Sequence, residues 1–277
     1  MKQTRVLTIQ DYSCLGRCSL TVALPTLSAS GIEAVGLPTS VLSNHTVFPS
    51  WTWIDTLPSL MEAPSKWEGF DIDFNAIYTG YLATSQVGMA LSLIRHFRKE
   101  STLLFVDPAF GDHGELYAGF HEDHIEAMRS LLKEADLAKP NITEACFLTG
   151  TPYPKETPSD AFLEGLIGKV SSLGPKKVVL SGIERDGKIG CLILDDGKLS
   201  SFFEDARPCA HGTGDLFSSA LLSAYLLGNT LFDSAHLAAL YVEKALSFNE
   251  KDGLDGRIYG PEFERAIPYF IKSLGLC

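Results

Sequence analysis

Two closely spaced glycines in the carboxyl-terminal third of the chain have the pattern of an anion-binding loop. Gly212, Thr213 and Gly214 precede the apolar stretch from Leu216 to Leu227, whose pattern predicts a helix. Because glycine has no side chain, successive backbone N–H groups of such a loop can approach an anion at the positive end of the helix dipole. The segment therefore predicts a phosphate-binding loop.

The residue that follows this loop is acidic. Asp215 would repel a bound phosphate unless its carboxylate has a role there, such as taking the proton from an attacking hydroxyl group. An Asp in the first helical turn also stabilises a helix through its dipole, by roughly 0.3–1 kcal/mol. Two interpretations follow: a general base for phosphoryl transfer, and a structural acid at the start of a helix.

A second set of polar residues follows two predicted strands. Asp107 ends the strand that begins at Leu103, and Asn141 and Glu144 follow the strand from Leu137 to Pro140. Carboxylate and amide oxygens at one sheet edge can hold Mg²⁺, directly or through its waters, and so neutralise nucleotide phosphates. Each residue alone also has a structural explanation, because Asp before Pro is common in turns and Asn141 with Glu144 has the spacing of a helix capping box.

The familiar nucleotide-binding fingerprints do not occur. The sequence has no glycine followed four residues later by Gly-Lys-Ser/Thr. The glycines of residues 212–214 lack the third glycine of a dinucleotide loop and lie far from the first strand. A P-loop ATPase and a Rossmann dehydrogenase are both disfavoured.

The composition is that of a globular protein with an acidic surface. Of 277 residues, 45% are hydrophobic and 21% are charged, and the formal net charge is −11. This balance permits a sizeable core and disfavours nucleic acid or an anionic membrane as a partner. No secretory signal is visible, and no apolar stretch approaches about 18 residues. The six cysteines are scattered, so we expect free thiols in a cytoplasmic protein and no zinc site at Cys14 and Cys18.

Short β-rich runs alternate with longer helical patterns along the chain. Strands are predicted at Arg5 to Gln10, Glu33 to Pro38, Asn75 to Thr79, Leu103 to Asp107, Leu137 to Pro140, Lys177 to Ser181, Ile189 to Leu194 and Leu199 to Phe203. Helices are predicted at Ser19 to Ser30, Ser85 to Lys99, Glu122 to Ala135, Thr143 to Thr149, Ser159 to Leu173, Thr213 to Leu227, Leu231 to Asn249 and Gly260 to Leu274.

This order of elements predicts the fold class. Strands joined through helices form a mostly parallel sheet covered on both faces, so we predict a three-layer α/β/α sandwich, in one domain covering residues 1–277. The short connection from Asp195 to Lys198 predicts an antiparallel hairpin of the last two strands at one edge. Ligands of such folds bind beyond the carboxyl ends of the strands, where the polar motifs fall.

In their order and spacing, these motifs resemble the ribokinase-like superfamily and, within it, the pyridoxal kinases of vitamin B6 metabolism. The resemblance extends from the first strand to beyond residue 227, and its most specific part is Gly-Thr-Gly-Asp-Leu-Phe from Gly212 to Phe217. The other matching segments are Val6 to Gln10, Ser43 to Thr46, Thr79 to Tyr81, Asp107 with Pro108, Gly111 with Asp112, Pro140 with Asn141, and Glu144 with Ala145.

The resemblance implies a reaction. It implies ATP-dependent phosphorylation of the 5′-hydroxymethyl group of pyridoxal, pyridoxamine or pyridoxine, giving the 5′-phosphate and ADP for salvage of pyridoxal 5′-phosphate. Asp215 would take the proton of that group, and the amides of Gly212, Thr213 and Gly214 would form the anion hole. It also implies Mg²⁺ with ATP, a homodimer, no large lid domain, and often a monovalent cation such as K⁺, which no residue here locates.

The resemblance assigns binding residues as well. Those for the ATP phosphates are Asp107, Asp112, Asn141, Glu144 and Ser181, of which Asp107 and Glu144 would hold Mg²⁺, directly or through water. The vitamin ring would lie between Asp11 at the end of the first strand, His45 with Thr46, and Tyr81. Without the resemblance, residues 44–46 are an ordinary polar turn and Tyr81 is a half-buried packing residue.

The sequence departs from the pyridoxal kinase pattern at Asp11. Most of those kinases carry Ser after the Ile-Gln of the first strand, and the segment from Tyr12 to Thr21 lacks their usual Gly-Asn pattern. A carboxylate at this position would favour a protonated ring or the ammonium of pyridoxamine over the aldehyde of pyridoxal. The sequence itself leaves the vitamer preference open.

Three alternatives were weighed against this function. A hydroxymethylpyrimidine or phosphomethylpyrimidine kinase shares the fold and the loop, but such enzymes commonly have Cys where Asp215 stands here. A sugar kinase is disfavoured because no stretch between the first two strands is long enough for a β-lid. A non-catalytic α/β binding module is disfavoured because Asp215 and the cation-binding candidates are present.

The adenine ring is expected to lie between the segment Ser200 to Ala206 and the helix Leu231 to Asn249.

Overall fold

The structure, a computed structural model, describes residues 3–251 and 256–276, and within these ranges nine strands form one sheet. In chain order its strands are β1 (Arg5–Leu15), β2 (Glu33–Asn44), β3 (Trp53–Asp55), β4 (Ala76–Thr79), β5 (Leu103–Val106), β8 (Leu137–Ala138), β9 (Lys177–Arg185), β10 (Lys188–Asp195) and β11 (Lys198–Asp205). Strands β6 (Gly111–Asp112) and β7 (Glu115–Leu116) pair with each other in a separate small hairpin. The spatial order of the sheet is β11-β10-β9-β8-β5-β4-β1-β2-β3.

The middle of the sheet is parallel. Strands β9, β8, β5, β4, β1 and β2 pair in parallel with their neighbours, as the alternation of strands and helices predicted. Strand β10 pairs antiparallel with both β9 and β11, which confirms the hairpin at that edge. At the opposite edge, β3 pairs antiparallel with β2. Sequence reasoning missed β3 because three residues are too few to show a period-2 pattern.

Helices cover both faces of the sheet and make two cores. They are α1 (Leu20–Ala29), α2 (Leu57–Leu60), α3 (Ala63–Trp67), α4 (Thr84–Phe97), α5 (Glu122–Leu132), α6 (Ile142–Thr149), α7 (Asp160–Ser171), α8 (Thr213–Leu226), α9 (Leu231–Lys251), α10 (Gly256–Tyr259) and α11 (Phe263–Ser273). Successive strand residues point to opposite faces, so Leu104 and Val106 of β5 enter the core with α4–α7, and Phe105 enters the core with α1, α8, α9 and α11. The predicted three-layer α/β/α sandwich is confirmed.

Three strands continue further than their apolar patterns indicated. Strand β1 continues to Leu15 through a bulge between Gln10 and Tyr12, and β2 and β9 are each extended at their carboxyl ends. The extensions of β1 and β9 carry polar residues that line a cavity, among them Asp11, Ser13 and Glu184, so they lack the apolar alternation by which strands are recognised. Two predictions are corrected: Asp11 lies inside β1 rather than at its end, and Ser181 lies inside β9 rather than after it.

The described cysteines are free thiols: Cys14 and Cys209 are exposed, and Cys18, Cys146 and Cys191 are buried. Cys277 lies outside the described residues. Among the helices of residues 3–251 and 256–276, none has the length and apolar character needed to cross a membrane.

Candidate active site

A cavity of about 1060 Å³ opens at the carboxyl ends of the parallel strands. This is the edge at which α/β sheets of this kind bind ligands. Every residue that the sequence predicted for the site lines this cavity, namely Asp11, His45, Thr46, Tyr81, Asp107, Asp112, Asn141, Glu144, Ser181, Gly212, Thr213, Gly214 and Asp215. The cavity extends from Leu42 on β2 to Phe202 on β11, across most of the width of the sheet.

The glycine loop lies at the start of α8. Gly212 has a left-handed backbone with φ of 84°, and a Cβ atom there would lie 1.9 Å from the carbonyl oxygen of Arg17, so only glycine fits. The Thr213 N–H donates to the carbonyl oxygen of Ala210 at 3.4 Å. Within the described ranges, the N–H groups of Gly214 and Asp215 have no hydrogen-bond acceptor in the protein. These two free donors face the cavity at the positive end of a 14-residue helix.

Asp215 is held beside these donors by a contact from another element. The backbone N–H of Ser19, the N-cap of α1, lies close enough to its carboxylate to stabilise the charged form. Burial raises the pKa of Asp215 to about 7, the nearby charge of Asp107 adds to the rise, and the Ser19 N–H opposes it. A carboxylate with a pKa near 7 can accept a proton efficiently at neutral pH.

Asp107 is part of a buried ion pair. Its Oδ2 atom lies 3.0 Å from Nζ of Lys139 and accepts a hydrogen bond of 2.6 Å from the hydroxyl of Ser218, one turn beyond Asp215 on α8. The side chains of Asp107 and Lys139 are 3% and 5% exposed. Asp107 therefore joins the end of β5 to α8 and to the end of β8.

Asn141 and Glu144 form the capping box that their spacing suggested. The Asn141 side chain accepts from the Glu144 N–H, and the Glu144 carboxylate accepts from the N–H groups of Asn141 at 2.9 Å and Phe110 at 3.0 Å. The Asn141 amide also donates to the carbonyl oxygen of Gly111. Burial, with the charge of Asp107, raises the pKa of Glu144 to about 8. The structural explanation is thus confirmed, and both residues also line the cavity.

The donor set fits a hydrated divalent cation better than a directly coordinated one. Both oxygens of Glu144 accept backbone N–H groups, and Oδ2 of Asp107 is occupied by Lys139 and Ser218. The Oδ1 atom of Asp107 has no donor within the described residues. No group of three or more His, Cys, Asp or Glu side chains in residues 3–251 and 256–276 has the spacing to hold a metal ion. Carboxylate oxygens in this arrangement suit the waters of a Mg²⁺ ion that is otherwise bound by phosphates.

Two further predicted phosphate residues lie at the rim of the cavity. Asp112, on the β6–β7 hairpin, is half exposed, and one of its oxygens accepts from the N–H of His113. Ser181 forms a parallel bridge with Asn141, and its hydroxyl lies 3.5 Å from the carbonyl oxygen of Pro140. The structure therefore brings Ser181 beside the capping box.

Asp11 is enclosed at the other end of the cavity. It is 4% exposed, its carboxylate accepts a hydrogen bond of 3.0 Å from the hydroxyl of Ser13, and the hydroxyl of Ser19 lies nearby. Burial raises the pKa of Asp11, and these two hydroxyls oppose the rise. Asp11 lies at the β1 bulge, between Gln10 and Tyr12, and lines the cavity.

His45 presents an aromatic face rather than a polar edge. Its Nε2 atom lies 2.6 Å from the carbonyl oxygen of Ile258, and its Nδ1 atom accepts from the Val47 N–H, so both ring nitrogens have protein partners. The ring lies 4.0 Å from that of His211. Burial lowers the pKa of His45, and burial lowers that of His211 to about 4. Both imidazoles are therefore neutral near pH 7.

Tyr81 and Thr46 complete this end. Tyr81 is half-buried, and its ring packs 5.4 Å from that of Phe120. Burial and the Asp11 charge raise the pKa of Tyr81 to about 12, so its hydroxyl stays protonated. Thr46 is exposed at the rim.

Sequence reasoning missed three residues that the structure brings into the site. Ser19 contacts both Asp11 and Asp215, Lys139 contacts Asp107, and His211 stacks on His45. Of the three, only Lys139 could have been found from the sequence, because a lysine at the carboxyl end of a strand predicted to be buried is unusual. The contacts of the other two join segments far apart in the chain.

The parallel sheet, the free N–H groups at the start of α8 and the carboxylate beside them define a small-molecule kinase of the ribokinase-like type. A family model described as phosphomethylpyrimidine kinase matches residues 24–259, and the chain belongs to this family of phosphotransferases. The resemblance that the motifs indicated is confirmed.

Relatives within this family carry two activities. The chain is 30% identical over 267 residues to a pyridoxal kinase of Dictyostelium discoideum, covering 88% of this chain and 84% of the relative. It is 26% identical over 260 residues to a hydroxymethylpyrimidine/phosphomethylpyrimidine kinase of Aquifex aeolicus, covering 89% and 96%. The crystal structure of pyridoxal kinase from Lactobacillus plantarum superposes with a TM-score of 0.88 at 28% identity, covering 97% of each chain.

Proposed function

We propose that the protein transfers the γ-phosphoryl group of ATP to the 5′-hydroxymethyl group of a vitamin B6 vitamer. The observation that carries this proposal is the position of the Asp215 carboxylate beside the free N–H groups of Gly214 and Asp215, in one cavity that continues to both sides. One side carries the rings of His45, His211 and Tyr81, and the other lies along β11 and α9. The two sides suit a heteroaromatic alcohol and a nucleotide.

In this mechanism, Asp215 takes the proton of the hydroxymethyl group. The oxygen forms a bond to the γ-phosphorus as the bond from that phosphorus to the β–γ bridging oxygen breaks, and ADP leaves. The N–H groups of Gly214 and Asp215 bind the oxygens of the transferring phosphoryl group. Bound Mg²⁺ would supply charge neutralisation of the nucleotide phosphates. Asp107 and Glu144 would hold it through its waters, with Asp112, Asn141 and Ser181 near the phosphates.

The nucleotide base is assigned to the cleft between β11 and α9. Phe202, Ala239, Val242 and Leu246 offer an apolar wall there. Such a wall suits the adenine ring, which binds largely through burial of apolar surface. These residues fall within the two segments in which the sequence analysis expected adenine.

The vitamin ring is assigned to the other end. His45 and His211 supply neutral aromatic surface, and Tyr81 and Asp11 supply polar groups, with Thr46 at the rim. Asp11 can pair with a protonated ring nitrogen or an ammonium group, which supports a preference for pyridoxamine or a protonated ring over the aldehyde.

One assay separates this function from its main alternative. ATP consumption is measured with pyridoxine, pyridoxal, pyridoxamine and hydroxymethylpyrimidine, for the natural protein, Asp215→Asn and the surface control Asp186→Asn. We expect turnover of at least one vitamer, loss with Asp215→Asn and retention with the control. Turnover of hydroxymethylpyrimidine alone would establish the pyrimidine kinase activity named in the family description. Turnover of no substrate would contradict both and favour a binding module.

We also propose a homodimer formed through the β3 edge. Trp51, Trp53 and Ile54, on and beside this three-residue edge strand, are 43%, 46% and 64% exposed. Large apolar side chains beside an unpaired strand edge are typical of an interface. We expect light scattering to show a dimer for the natural protein and for Leu199→Lys, at the opposite edge, and a monomer for Ile54→Lys. A monomeric natural protein would contradict this proposal.

A K⁺ requirement and a cytoplasmic location stay predictions. The first can be tested by exchanging K⁺ for Na⁺ in the assay.

A further inference from the structure

Lys139 places a buried ammonium group directly beneath the anion loop. Its side chain is 5% exposed, and its Nζ atom lies 3.0 Å from Oδ2 of Asp107. A Cβ atom built on Gly214 would lie 3.5 Å from the same Nζ atom. The ammonium group therefore lies between the end of β5 and the first turn of α8, and the residue lines the cavity.

The ion pair with Asp107 does not use the full donor capacity of this group. An ammonium group has three N–H donors, and Asp107 is the acceptor that the described residues provide for it. Because the side chain is enclosed, the remaining donors have little access to bulk water. Lys139 lines the same cavity as Gly214 and Asp215, so an anion bound there is an available acceptor for these donors.

The surrounding charge indicates why a cation is needed at this point. Three carboxylates, those of Asp107, Glu144 and Asp215, act on Lys139. Asp107 is the nearest of them, with its Oδ2 atom 3.0 Å from the Nζ atom. A phosphoryl group brought beside Asp215 would meet repulsion from the Asp107 carboxylate, and a cation held next to Asp107 offsets that repulsion. Buried ion pairs add little to fold stability by themselves, so stability alone is a weak reason for this lysine.

We propose that Lys139 is a catalytic residue whose ammonium group contacts an oxygen of the transferring phosphoryl group, from beneath the loop that supplies the Gly214 and Asp215 N–H groups. This inference rests on the proposed kinase function. Lys139 gives up no proton in the step: Asp215 takes the proton, and the phosphoryl group moves from the β–γ bridging oxygen to the substrate oxygen. The ammonium group offsets the negative charge that the phosphoryl oxygens bring close to Asp107.

The test compares Lys139→Met with Lys133→Met, an exposed lysine at the end of α5. Calorimetry measures the Kd values of ADP and of the β,γ-imido analogue of ATP, which carries a γ-phosphoryl group. We expect Lys139→Met to raise the Kd of the analogue by about tenfold or more relative to the Kd of ADP, because a charge-assisted contact to the γ-phosphoryl group is lost. We expect kcat to fall by about 10²-fold. Lys133→Met should change neither quantity.

Equal weakening of both nucleotides, or an unchanged kcat, would overturn the proposal and leave Lys139 as a partner of Asp107 only. If Lys139→Met does not fold, Lys139→Gln takes its place, because its amide can still donate to Asp107, and the same two outcomes decide. The nucleotide measurement needs no vitamer. A wrong vitamer assignment would therefore appear as absent turnover in the natural protein, whereas a wrong role for Lys139 would appear as an unchanged ratio of the two Kd values.

Discussion

The backbone N–H of Ser19, at the start of α1, lies beside the carboxylate of Asp215, at the start of α8, and both residues line the cavity. Ser19 has a left-handed backbone with φ of 47°, which is strained for a residue other than glycine. Its hydroxyl lies near the Asp11 carboxylate. One residue therefore orients both the proposed base and the acid at the vitamer end.

Replacing the carboxylate of Asp215 should remove catalysis and keep the fold. Asp215→Asn retains the shape of the side chain but cannot accept the substrate proton, so we expect kcat to fall by about 10²-fold or more. The measurement is the initial rate of vitamer phosphorylation, with a thermal melt to verify folding. A rate within a fewfold of that of the natural protein would contradict the role of Asp215 as base.

Activity should decline as the pH falls through about 7. The base acts only when deprotonated, and burial with the Asp107 charge raises the pKa of Asp215 to about 7. The charges of Asp11 and Lys139 also act on this carboxylate, the first raising and the second lowering its pKa. We expect kcat/KM to lose about tenfold per pH unit on the acid side, as for a single essential base. A flat profile between pH 5 and 7 would contradict this.

The same raised pKa predicts a pH dependence of stability. Its sign is opposite to that of a carboxylate whose pKa is lowered on folding. The folded state binds the Asp215 proton more tightly than the unfolded state does, so this residue favours folding at low pH, and that contribution is lost as the pH rises through about 7. Asp215→Asn abolishes this loss. We therefore expect the Tm of the variant, minus the Tm of the natural protein, to increase as the pH rises from 5 to 8. An unchanged Tm difference over that range would show that Asp215 titrates normally.

The two loop glycines should respond differently to substitution. A Cβ at Gly212 would lie 1.9 Å from a backbone oxygen at a φ of 84°, so Gly212→Ala should lower Tm markedly. Gly214 has an ordinary φ, and a Cβ there would make a normal contact of 3.5 Å with Lys139 Nζ. Gly214→Val should therefore fold but exclude the phosphoryl group with its branched side chain. Similar Tm values for both variants would contradict the distinction.

The placement of Asp107, Asn141 and Glu144 could be predicted because parallel strands end at the same edge of a sheet, so residues following each strand converge. The role of Ser19 could not, because its contacts depend on how α1 packs against α8 almost two hundred residues later. The extension of β1 could not either, because Asp11 and Ser13 face a cavity and break the apolar alternation. Local sequence patterns therefore predict the strands and the sheet edge at which the site lies, whereas the contacts among the polar residues of the cavity depend on tertiary packing.

Asp11 should set the choice among vitamers. Its carboxylate is enclosed at the vitamer end of the cavity with the Ser13 hydroxyl as a donor and the Ser19 hydroxyl nearby, so a cationic group of the substrate would find there a partner of opposite charge with little competition from water. Asp11→Ser keeps a hydrogen-bonding group and removes the charge. We expect kcat/KM for pyridoxamine to fall relative to that for pyridoxal, and the measurement is kcat/KM for all three vitamers in both proteins. The control is Asp112→Asn, which removes a negative charge at the rim, near the proposed phosphate site. It should leave the preference among the vitamers unchanged. If the order of preference stays the same in Asp11→Ser, the selectivity resides instead in the shape of the pocket between His45 and Tyr81.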